Sequence, residues 1–144
     1  MSLTIWRGDD IDRLLSKAAE ADERTTSLLP SPPIIDGERP VAEQAVAVAR
    51  KHGLDEPPEL ADFVVDLLDA DELLDKPGWH MSRGERQMVG LILSFARPFE
   101  RLILIDPTAG LDARRSAAIV DFLIDLGADH AVDVASTAEI FGSL

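Results

Sequence analysis

Apolar positions along the chain follow two periods, and the changes between them set out the elements. Leu3 to Trp6 is a short apolar stretch that predicts a strand, and Gly8-Asp9-Asp10 turns the chain into a helix over Ile11 to Ala21. Ser27 to Leu29 predicts a second strand. The run Pro30-Ser31-Pro32-Pro33 can neither donate normally to a sheet ladder nor continue a helix, so an extended connector follows. Val41, Ala45, Val46, Val48 and Ala49 recur at helical spacing up to His52, and Gly53 is the stop. Leu60, Phe63, Val64, Leu67 and Leu68 repeat that pattern over Glu59 to Asp69. After Pro77-Gly78 a further helix spans Ser82 to about Ala96 and is closed by Pro98. Arg101-Leu-Ile-Leu-Ile105 is continuous and β-branched, the pattern of a strand buried on both faces. Asp112 to Leu126 reads as a helix ended by Gly127, and Ala131 to Ala135 as a last strand. Strands separated by helices imply an α/β layer with a mostly parallel sheet.

Composition narrows this picture. At 144 residues the chain fits one domain and can bury a core without staples. The absence of cysteine removes disulfide scaffolds, thiolate metal sites and cysteine nucleophiles together. With 27 acidic against 14 basic residues the formal charge is −13, which argues against a phosphate-backbone or anionic-membrane binder. No apolar stretch approaches the roughly 20 residues of a spanning helix. Trp6, Arg7 and an aspartate pair stand where a signal peptide would carry its apolar region, so a cytoplasmic location is expected. Between Asp55 and Asp75 there are nine acids and no Lys or Arg. A solvated acidic face on a helical layer is the plainer reading, and a docking surface for a basic partner the sharper one.

Ser82-Arg83-Gly84-Glu85 matches a capping box, in which serine accepts from an early backbone N–H and glutamate reaches back. It opens a longer run, from Met81-Ser-Arg-Gly-Glu-Arg-Gln87 through one helix to Leu102-Ile-Leu-Ile-Asp-Pro-Thr-Ala-Gly-Leu-Asp112. This run resembles the signature motif, Walker B strand and D-loop of the ATP-binding cassette (ABC) ATPases, with the serine-to-acid spacing matched without a gap. Further out, Pro40-Val41-Ala42-Glu43-Gln44 through His52-Gly53-Leu54 looks like the opening of the family's helical subdomain, which would run from about Pro40 to Pro98. Leu29-Pro30-Ser31-Pro32 takes the place of its Q-loop, and Ile5 to Ile11 looks like the strand-turn segment that usually follows the phosphate-binding helix.

The phosphate loop itself is missing. It requires G-x-x-x-x-G-K-[ST], and no Gly-Lys dipeptide occurs; the lysines are Lys17, Lys51 and Lys76. Under the resemblance, the Walker B aspartate falls on Ile105 and the catalytic glutamate on Asp106, one methylene shorter. The Q-loop glutamine falls on Ser31, and the switch histidine on Thr137 or Ala138. Losing all of these together removes the electrostatic clamp of phosphoryl transfer, so the family is one of ATPases but independent hydrolysis is not expected here.

The surviving parts are those the family uses across a dimer interface. The resemblance implies that Ser82, Arg83, Gly84 and Glu85 would meet ATP held by another subunit, with Asp112 of the D-loop facing that partner; Asp106 is the one catalytic-position candidate and no metal site is expected. A capped helix that only inherits the look of a signature is the bland alternative. His52, His80 and His130 are scattered and read as structural, as do Ser94 and Ser136. Arg114 and Arg115 read as solvated, and Trp79 as a core or interdomain anchor.

The expected fold is therefore a truncated ABC-type α/β domain, P-loop NTPase-like, without its Walker A portion. In the family's sheet the switch strand lies beside the Walker A strand, so the edge at Ala131 to Ala135 is expected to be open, then covered by the N-terminal segment, a second copy or a partner. Two functions are expected. One is a noncatalytic subunit pairing with a complete ABC ATPase, or with itself as a homodimer, binding no cofactor alone and ATP only in trans. An indirect complex with a membrane permease would place it at the inner face of the membrane. The other is an ATP-independent interaction or regulatory module on a degenerate scaffold. A decayed or split gene product is a third possibility, and no nucleic-acid partner is expected.

Overall fold

A computed structural model describes residues 2–142 and 144. Among the described residues five helices and four strands follow in the order β1 (Ser2–Trp6), α1 (Asp10–Glu20), β2 (Thr26–Leu29), α2 (Val41–Lys51), α3 (Glu59–Leu67), α4 (Arg83–Ser94), β3 (Arg101–Ile105), α5 (Ala113–Leu126) and β4 (Ala131–Ala135). Short 3-10 turns lie at Asp71–Leu73, Gly78–His80 and Glu139–Phe141.

The strands form one parallel sheet in the order β1-β4-β3-β2. The continuous apolar run of β3 is explained by this placement, because a central parallel strand is covered on both faces. Leu102, Ile103 and Leu104 are each fully buried, at 0 % exposure, and burial of such side chains stabilises by about 1.5–3 kcal/mol apiece. Alternation then divides the two faces. Leu102, Leu104, Val132 and Val134 join the main core under α3, α4 and α5. Ile103 and Ala135 point the other way and pack with Leu14 of α1.

Helix α4 is the centrepiece of the main core. Gly90 permits its close approach to the sheet: a methyl group there would meet Pro33 Cβ at 2.6 Å and Leu29 Cδ1 at 2.8 Å. Past its C-terminal end, Phe95 sits edge-on to Phe122 and Phe99, with ring centroids 5.3 and 5.8 Å apart.

One expectation about the sheet is met in one of its forms, and another is corrected. Strand β4 is not an open edge, because β1 pairs with it over five residues, from Ser2 with Ala131 to Trp6 with Ala135. Of the three covers expected, it is the N-terminal segment that lies there. For the same reason Ile5 to Ile11 is not the segment after a phosphate-binding helix: β1 takes the position beside β4 that the resemblance gives to the Walker A strand. Nor is β4 wholly apolar within. Asp133 is buried in it, and its Oδ1 accepts from Trp6 Nε1 (2.9 Å) while Oδ2 accepts from Arg101 Nε and Nη2 (2.8 and 2.7 Å). Both oxygens are thus compensated, which a buried carboxylate requires.

Candidate functional site

In parallel sheets ligands are met by the loops at the carboxyl ends of the strands, and three of these ends are linked here. Asp106 N–H donates to Ala135 O (2.8 Å), and Ser136 N–H to Trp6 O (3.3 Å). The loop after β1 occupies the place of a phosphate cradle. It is instead a tight turn, with Gly8 at φ +56°. Asp10 N–H donates to Arg7 O (3.1 Å) and Ile11 N–H to Gly8 O (3.2 Å), so the first amides of α1 are engaged by the turn itself. Asp9, Asp10 and Asp12 crowd this helix start with negative charge, which repels an anion that the helix dipole alone would attract. Arg7 is turned away, its guanidinium donating to the Phe141 carbonyl. These residues do not fit a nucleotide triphosphate.

The rest of the strand-end positions agree. Ile105 is half-buried and offers no metal ligand; Ser31, Thr137 and Ala138 are exposed and carry no base. Asp106 adopts φ +46°, an uncommon conformation for a residue with a Cβ, at the bend out of β3. The buried Gln87 side chain spans that bend, its Nε2 donating to Asp106 O (3.2 Å) and Pro107 O (3.0 Å).

Around the start of α4 the signature-like residues form a built corner. Ser82 Oγ accepts from Glu85 N–H (3.2 Å), and Glu85 Oε1 accepts from Ser82 N–H (3.0 Å), completing the capping box. That second bond is the main reason the Glu85 carboxyl lies below its ordinary range. Gly84 packs on the loop between β3 and α5 so closely that a methyl group would stand 2.6 Å from Gly110 O. Gly110, at φ +74°, holds a conformation that a side chain would strain. Asp112 caps α5, its Oδ1 accepting from Arg115 N–H (2.8 Å), and that bond first of all lowers its pKa. Ser82, Arg83 and Asp112 remain exposed; Gly84 and Glu85 are half-buried.

Two readings made from sequence change here. Arg115 is not a solvated residue: it donates from Nε to Leu68 O of the α3 end (2.7 Å) and from Nη1 to Asp112 Oδ2 (2.6 Å), tying the start of α5 to the acidic helical layer. Trp79 is no core anchor. It is 65 % exposed and stacks on His80 at 4.2 Å. Gln87 was legible only as the end of a motif, and its role between α4 and the β3 bend needed the fold.

No family model matches the sequence, and no curated protein matches it. Solved structures match it in shape. An ABC transporter ATP-binding protein from Pyrococcus furiosus aligns at a TM-score of 0.73 and 18% identity, over 96% of this chain and 78% of that one. An ATP-binding subunit of an ABC transporter aligns at 0.74 and 16%, over 94% and 67%. The chain has the fold of an ABC ATP-binding subunit. A metal-chelate type ABC transporter in an inward-facing conformation aligns at 0.67 and 17%, over 94% of this chain, which spans only 61% of that protein's length. Within the ABC-type fold, β1 and its tight turn stand where a phosphate loop would be, while Ser82 and Gly84 open α4, with Gly110 packed on Gly84 from the loop between β3 and α5. No described helix is long and apolar enough to cross a membrane.

Proposed function

We propose that this chain is a noncatalytic ABC-type subunit that pairs with a complete ABC ATPase and caps the ATP bound by that partner. The observation that carries the proposal is a contrast within one molecule. The chain's own phosphate-loop position is shut by a hydrogen-bonded, acidic turn, while the start of α4 is kept exposed and braced on the D-loop through Gly84 and Gly110. A structurally maintained α4 start in a chain whose own phosphate-loop position is shut fits a part used on someone else's nucleotide. Ser82 Oγ and the first-turn amides would face phosphate, Arg83 would add positive charge, and Asp112 would meet the partner across the interface. The Glu85 carboxylate caps its own helix, so it orients Ser82 rather than touching the ligand. Asp106, in the catalytic-glutamate position, has no Mg²⁺-holding neighbour, and no hydrolysis is assigned to it. Pairing of this kind places the chain in the cytoplasm, at the inner face of the membrane if the partner serves a permease.

A second reading, an ATP-independent module, draws on the same capping box, because a helix start satisfied by its own Ser82 and Glu85 needs no ligand. Substitution separates the two. Ser82→Arg fills the exposed helix start without entering the core. Under the capping proposal it abolishes ATP-dependent association with a complete ABC ATPase; unchanged association would eliminate the capping role and leave the module.

A further inference from the structure

Strand β2 has a neighbour on one side only, β3, and the ladder fixes which of its backbone groups are free. Arg101 N–H donates to Thr25 O (3.1 Å) and Thr26 is in register with Arg101. In a parallel ladder alternate residues then face the neighbour, so Ser27 and Leu29 bond to β3 and Leu28 turns its N–H and C=O outward. The side chain of Leu28 is also 44 % exposed. The other sheet edge is more crowded, since Gly127 at the end of α5 lies so near β1 that a methyl group on it would be 3.0 Å from Leu3 N.

Two clefts flank this edge, one on each face of the sheet. The first, of about 200 Å³, runs between β2 and α4 past Ile34, Val48 and Leu93. The second, of about 220 Å³, lies between β2 and α1 past Ala18 and Ala21. Leu28 and Arg97 line both. Successive side chains of an added strand point to opposite faces, so they would enter the two clefts in turn. The charge around the clefts opposes the charge of the whole chain. Lys51 and Arg97 face a single carboxylate, Glu23, in a protein of net charge −13. Among the described residues Arg97 donates to carbonyls alone, those of Glu23 and Pro98. Burial first, then the charges of Arg97 and Lys51, hold His52 below its ordinary range, with Glu23 opposing weakly.

We infer that the β2 edge binds an extended acidic peptide segment of a partner, which adds a strand beside Leu28 and places carboxylates near Arg97 and Lys51. Backbone pairing supplies the contact, and the two clefts with their cations select alternating apolar and acidic side chains.

The test uses the full chain and a fluorescein-labelled hexapeptide alternating valine and glutamate, with a valine–lysine peptide as comparison. Fluorescence anisotropy is expected to show saturable binding of the acidic peptide, on the order of tenfold or more tighter than the basic one and weakened by salt. Hydrogen exchange at the Leu28 amide is expected to slow by about tenfold or more in the complex. Leu28→Pro removes the outward N–H without touching a β3 bond, a substitution an edge strand accepts, and should abolish binding; circular dichroism checks its fold. Arg97→Gln leaves the strand intact and should weaken binding and flatten its salt dependence. Equal affinity for the two peptides, or full binding by a folded Leu28→Pro chain, would overturn the inference. So would protection of Leu28 that rises with chain concentration alone, which assigns the edge to a second copy.

Discussion

Replacing Gly84 by alanine tests whether α4 and the loop that carries Gly110 form one braced unit. In an isolated helix the change would stabilise, since alanine exceeds glycine by about 1 kcal/mol in helix propensity. The structure predicts the opposite sign. The new Cβ would lie 2.6 Å from Gly110 O, and ordinary contact begins near 3.4 Å, so the two elements must separate by about 0.8 Å. The atom met is backbone rather than the end of a flexible side chain, so relief requires a shift of the main chain around Gly110. Overpacking of this kind costs about 1–3 kcal/mol, which set against the propensity gain of about 1 kcal/mol leaves a net loss of up to about 2 kcal/mol. With a urea slope of about 2 kcal/mol/M, the unfolding midpoint should fall by up to roughly 1 M. Arg83→Ala, exposed in the same turn, should stay within about 0.5 kcal/mol of the parent. A Gly84→Ala midpoint above that of the parent, the sign that helix propensity alone gives, would refute the close packing of the two segments.

Other outcomes follow from the same geometry. Asp133→Ala strands the Trp6 indole and the Arg101 guanidinium, and should destabilise by about 2–4 kcal/mol, the partial exposure of Arg101 keeping the loss below that of a sealed pair; unfolding followed by tryptophan fluorescence reads it. Asp133→Asn, which keeps an acceptor for Trp6, should lose less. Glu85 and Asp112 have folded-state pKa values below their ordinary 4.5 and 3.8, so the folded chain binds fewer protons than the unfolded one. Their contribution is complete above those ordinary values and is lost as pH falls through the lowered ones; a Glu85→Gln, Asp112→Asn chain should show a flatter decline of thermal midpoint in acid. An equal decline would place the acid sensitivity elsewhere.

Much of the fold was legible because strong local signals agreed with the tertiary context. The apolar run at Leu102 to Ile105, the 3.6-residue stripes of α2 to α5 and the Ser82 and Asp112 caps each mark an element whose bounds moved by only a residue or two. The place of β1 was not legible. A five-residue strand carries no label for its neighbour, and pairing with a strand more than a hundred residues away is decided by the sheet, not by the segment. Asp133 was hidden for a related reason, since its partners Trp6 and Arg101 come from two other strands. The candidate site was legible as motifs but not as contacts. That Gly84 must be small to admit Gly110, and that Arg115 reaches Leu68 O, depend on how α4, the D-loop and α3 meet.

The central claim is that this chain holds no nucleotide by itself and meets ATP only on a partner. The most direct measurement is equilibrium binding of Mg-ATP to the purified chain by calorimetry, repeated with a complete ABC ATPase whose own hydrolysis is arrested. The closed turn at Arg7 to Asp10 predicts no binding by the chain alone at millimolar ATP, and an ATP-dependent complex in the mixture that Ser82→Arg abolishes. A micromolar dissociation constant for the chain alone, about −8 kcal/mol, would contradict the account.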